Sequence, residues 1–107
     1  MANNYKNAKV DLTTTDATVL YTCPAATTAV MRSILVSDDS GSGDTITVTI
    51  TDASDAIFNV FNLKAISANT TSELLSEPLV VQENEVIKVT AATADRLHVV
   101  ASLLEMS

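Results

Sequence analysis

Isoleucine and valine alternate with threonine across residues 44–52: Ile46, Val48 and Ile50 fall between Thr45, Thr47, Thr49 and Thr51. Successive side chains of a strand point to opposite faces, so this stretch predicts a strand with one apolar and one hydroxyl face. β-Branched residues on both faces resist helix and suit a pleated surface. The flanking sequence carries similar short apolar runs between turn residues. It predicts further strands at residues 9–13, 17–23, 29–37, 56–64, 70–75, 79–81, 86–91 and 96–105. No segment carries a helical period. About eight short strands at this turn spacing point to an all-β fold, a compact antiparallel β-sandwich of jelly-roll or immunoglobulin-like topology.

The pattern also assigns faces. Val19, Tyr21 and Cys23 share one side of the second strand, which Pro24 ends by removing a ladder donor. In residues 29–37, Val30, Arg32, Ile34 and Val36 oppose Met31, Ser33, Leu35 and Ser37, and neither face is cleanly polar. The run from Ile57 to Leu63 fits neither period. Its two phenylalanines, Phe58 and Phe61, suggest a bulged strand in the core. On the last strand Leu97, Val99, Ala101 and Leu103 face inward, leaving His98, Val100, Ser102 and Leu104 on the other side. Both glycines, Gly41 and Gly43, lie in the turn at 38–44. Residues 1–8 are polar and aperiodic. They predict a flexible N-terminal arm before a single sandwich domain at 9–107, with Tyr5 either frayed or anchored on a neighbouring subunit.

Charge narrows the partners. Six basic residues stand against 13 acidic ones, a formal charge of -7, which disfavours nucleic acid and anionic membrane alike. Aromatic residues are 4% of the chain with no Trp, so the core must be aliphatic. A single cysteine rules out an intrachain disulfide. The first residues lack the apolar core of a signal peptide, and no apolar run approaches the ~20 residues of a membrane span, so synthesis and folding in a cytoplasm are expected.

Candidate chemistry is sparse. His98 and Cys23 are each the sole residue of their type, and a nucleophile or metal site needs companions. Asp38, Asp39 and Asp44 could offer oxygens to calcium, but their spacing departs from an EF-hand loop and these are ordinary turn residues. No catalytic residue, cofactor or metal site is expected, and the chain is not expected to be an enzyme. The two-sided strands at 29–37 and 96–105 instead suggest self-association. The candidate interface residues are Tyr5, Met31, Leu35, His98, Val100 and Leu104.

Two segments, residues 21–37 (Tyr-Thr-Cys-Pro through Ile-Leu-Val-Ser) and 77–105 (Glu-Pro-Leu-Val-Val through Ala-Ser-Leu-Leu-Glu), carry a resemblance. From about residue 17 to the end, the chain resembles small virion structural proteins of tailed bacteriophages, especially marine and cyanobacterial ones. The resemblance implies a compact β-sandwich on the outside of a virion, either a head decoration (cement) protein or a tail, neck or fibre component. It implies a homo-oligomer whose partner is the major capsid protein or another virion protein. A carbohydrate- or receptor-binding sandwich is the remaining alternative, weakened by the scarcity of aromatic side chains.

Overall fold

The computed structural model describes residues 3–107. Nine strands form among them: β1 (Asn3–Leu12), β2 (Thr18–Thr22), β3 (Thr28–Asp38), β4 (Asp44–Thr51), β5 (Ile57–Ile66), β6 (Thr71–Glu73), β7 (Leu79–Val81), β8 (Val86–Ala91) and β9 (Leu97–Met106). All pairings are antiparallel. One sheet has the order β1-β9-β3-β6, with β7 also on β3, and the other has the order β2-β8-β4-β5.

The pairings nest. β4 pairs β5 across the turn at 52–56, β3 pairs β6 and β7, β2 pairs β8, and β1 pairs β9. A long hairpin rolled so that successive pairs alternate between two sheets is a jelly roll, which decides between the two expected topologies. The threonine-rich β4 sits at the inner end of that roll. Ile46 and Val48 are fully buried between the sheets, and they meet Ile87 and Val89 of β8 and Leu97, Val99 and Ala101 of β9 in one aliphatic core.

The turn between β3 and β4 is organised by Asp38, which is buried. Its carboxylate accepts from the backbone N–H of Ser40 at 2.7 Å, from the Ser40 hydroxyl at 2.6 Å and from the N–H of Gly43. These bonds, the Ser40 hydroxyl foremost, hold its carboxyl below the usual carboxylate range against the opposing effect of burial. Arg96 closes the turn by donating to the Gly43 carbonyl at 3.0 Å. Gly43 has φ +71°, and a Cβ there would stand 3.1 Å from the Ile66 carbonyl oxygen. Gly43→Ala is therefore expected to cost about 1–3 kcal/mol, read as a lower urea midpoint at unchanged slope.

Four expectations are corrected. Residues 3–8 are not a flexible arm: they are the first part of β1, laddered to β9 from Asn3–Met106 to Leu12–Leu97. Their polar composition carries little strand propensity, but the open edge of β9 supplies backbone partners, and tertiary pairing overrides propensity. The rest of the expected arm, Met1 and Ala2, lies outside the described residues. Second, a bulge at Leu20 turns both Leu20 and Tyr21 inward and leaves Val19 exposed. Third, Phe58 is 55% exposed, because β5 is the outer strand of its sheet. Fourth, β3 is bulged between Met31 and Ser33, so Arg32 is an extra residue and the inward parity changes there. Ala29 and Met31 face the core before the bulge, and Ile34 and Val36 after it. Met31, expected at an interface, is fully buried in the core.

Candidate interaction surface

The register of the first sheet places its outward side chains in rows. One row crosses the sheet as Tyr5 (β1), Leu104 (β9), Val30 (β3) and Val80 (β7). Four residues further along β1 and β9, Lys9, Val100, Leu35 and Glu73 form another. Between them lies a polar row of Asn7, Ser102 and Ser33. Beyond the Lys9 row stand Asp11, His98, Ser37 and Thr71. Side chains directly opposite in an antiparallel pair share a face and touch, so each row is a continuous strip.

Five of the six candidate residues, Tyr5, Leu35, His98, Val100 and Leu104, therefore share this outer face, while Met31 lies beneath it. Tyr5 is 80% exposed, Val80 52%, and Leu35 and Val100 39% each. β3 and β9 supply the centre of the face, β1 and the short β6 and β7 its borders. Val30 and Val80 belong to it as well. Sequence parity concealed Val30, which the unbulged pattern grouped with core residues.

His98 stands between two carboxylates. Its Nε2 lies 3.1 Å from Asp11 Oδ1, and its Nδ1 lies 3.6 Å from Asp39 Oδ2. All three side chains are well exposed to solvent, so the contacts tie β1, β9 and the β3–β4 turn together weakly. The acidic turn residues are thus drawn apart. Asp38 holds its own loop, Asp39 faces His98, and Asp44 Oδ2 accepts from the Thr93 N–H at 2.9 Å. No group of three or more His, Cys, Asp or Glu side chains is placed to hold a metal among the described residues.

A polar network that sequence reasoning missed closes the far end of the sandwich. Glu105 falls on the inward face of β9 and is buried. It accepts from the Tyr21 hydroxyl at 2.5 Å and pairs with Lys6 Nζ at 3.0 Å, joining both sheets and β1. The Tyr21 hydrogen bond, aided by Lys6, holds the Glu105 carboxyl below its usual range even though burial pushes the other way. Burial first, and then the bond to Glu105, push the Tyr21 phenol above its ordinary value, so it stays the donor. The signal was present in the chain: Glu105 continues the inward parity of Leu97, Val99, Ala101 and Leu103, and a charge at a core position requires a partner. Cys23 lies near this network, fully buried, its thiol 3.3 Å from the Thr27 carbonyl oxygen and pushed up by burial. A protonated, inaccessible thiol is a poor nucleophile.

No protein-family model matches the chain, and no curated protein matches it. Solved structures share the fold. A chain of the Bacillus endospore appendages, a family of disulfide-linked pili, aligns with a TM-score of 0.60 at 9% identity over 99% of this chain and 87% of that one. A pentameric capsid protein from metagenomic phage sequences aligns with a TM-score of 0.50 at 19% identity over 94% of this chain and 59% of that one. A chain of the cyanophage Pam1 capsid aligns with a TM-score of 0.46 at 19% identity over 96% of this chain and 83% of that one. For the first two, at these identities, the likeness is one of fold.

Proposed function

We propose that the chain is a non-enzymatic structural protein of a tailed-phage virion, specifically a head decoration (cement) protein that self-associates and binds the shell built from the major capsid protein. The observation that carries this reading is the outer face of the β1-β9-β3-β6 sheet, where apolar strips lie exposed between polar ones. Surface contact is what such a face offers, and monomeric proteins seldom expose contiguous apolar strips without a partner.

Three further observations support it. The resemblance in residues 21–37 and 77–105 points to virion proteins of this size. Neighbours with TM-scores of 0.50 or more include a chain of disulfide-linked pili and a pentameric phage capsid protein, and a self-associating chain is in keeping with both. The charge of -7 suits a particle exterior, away from packaged nucleic acid. Disulfide linkage of the pilus kind is not favoured, since Cys23 is buried.

The test is co-sedimentation of the purified chain with assembled shells and with free shell subunits of the same phage. Retention by shells alone is expected, because a cement protein reads the arrangement of several subunits at once. Loss from the shell pellet, or equal binding to free subunits, removes the decoration reading. Retention on purified tails instead would make the chain a tail or neck component.

A further inference from the structure

The order of residues across the outer face suits one occupant. We infer that this face takes a second copy of the chain, packed face to face across a two-fold axis that runs parallel to the strands between β9 and β3. The inference rests on the reading of this face as a self-association surface, and not on the identity of any shell.

A two-fold axis in that direction keeps each row at its own height and reverses its order. Lys9 of one copy then lies over Glu73 of the other at both ends of their row, and Val100 lies over Leu35 in the middle. In the next apolar row Tyr5 lies over Val80. Opposite charges reach the rim and apolar side chains meet at the centre, the usual anatomy of an interface. The negative charge at Glu73 is fixed in advance: its Oε2 accepts from the backbone N–H of Ile34 at 2.8 Å and of Leu75 at 3.2 Å. The other in-plane two-fold, perpendicular to the strands, would place Lys9 over Tyr5 and Glu73 over Val80, leaving both charges on apolar partners. Arg32 lines a hollow with Tyr5, Asn7 and Ser102 on the β1 side of the face, so the two copies' guanidinium groups would diverge toward opposite edges.

The area is sufficient. Strands spaced about 4.8 Å apart and rising about 3.4 Å per residue give a four-strand, ten-residue face of roughly 650 Å² when flat. Side-chain relief brings this near the ~800 Å² per partner of a standard specific interface.

Two experiments on the full chain test the inference. Light scattering in the micromolar range is expected to give twice the 11.3 kDa chain mass. Leu35→Asp, which sets a charge at the centre of each copy's face, is expected to return the single mass while the melting point moves by only a few degrees. The second experiment treats the double variant Tyr5→Cys, Val80→Cys with a short bis-maleimide. Within one chain these positions stand at opposite edges of the sheet, three strand spacings or about 14 Å apart. In the dimer they face each other, so the double variant should link nearly completely into a covalent dimer and each single variant only at background. Cys23, fully buried, should stay unreactive in all three. A parent chain at single mass, or single variants that link as fully as the double, overturns the inference. A dimer that ignores shells upholds it and overturns the decoration reading; a monomer that decorates shells does the reverse.

Discussion

Glu105→Ala is expected to lower stability by about 2–4 kcal/mol. The change leaves the buried Tyr21 hydroxyl without its acceptor and Lys6 without its partner. Lys6 is half exposed and recovers water, so most of the loss comes from Tyr21 and the vacated space. Tyr21→Phe should cost less, about 1–2 kcal/mol, since Glu105 retains Lys6. The same network sets a pH dependence. The Glu105 and Asp38 carboxyls lie lower in the folded chain than in the unfolded one. Their contribution is complete above the ordinary carboxylate range of about 4 and is lost as pH falls through the depressed folded values. Urea midpoints measured from neutral pH downward should fall steeply below about pH 4, and the fall should be shallower in Glu105→Gln. Equal slopes in the two proteins would separate Glu105 from the acid sensitivity.

Met31→Ala is expected to cost about 2–5 kcal/mol, against less than about 1 kcal/mol for Leu35→Ala, although the two residues share a parity in the sequence of β3. The difference comes from the bulge at Arg32. Met31 precedes it and fills the core with no exposed surface, whereas Leu35 follows it and faces solvent at 39% exposure. Thermal or urea melts of the two variants decide the point, and similar losses would mean that the bulge does not hold in solution.

Alternation was sufficient where a strand carries no extra residue of its own. The inward sets of β9 and β8 and the buried Ile46 and Val48 of β4 could be read directly, because these side chains meet the core. The bulges at Leu20 and Arg32 could not, because a bulge is defined by the register of a partner strand distant in the chain. The same reason hid β1: residues 3–8 become a strand by covering the edge of β9, a contact spanning nearly the whole sequence. Phe58 misled by chemistry, since its hydrophobicity names a preference for burial while its place on the outer strand β5 withholds the cover. Of the candidate surface, the outward residues of β9 were legible from parity. Their alignment with Tyr5, Val30 and Val80 into one strip required the cross-strand register.

The central claim, that the chain is a component of a tailed-phage virion, is tested most directly by its position on purified particles of a phage whose genome carries this sequence, found by gold-labelled antibody in electron microscopy. Label distributed over the head surface, at many copies per particle, is the expected result. Particles without label on any part, from a preparation whose lysate contains the folded chain, would contradict a role in the virion.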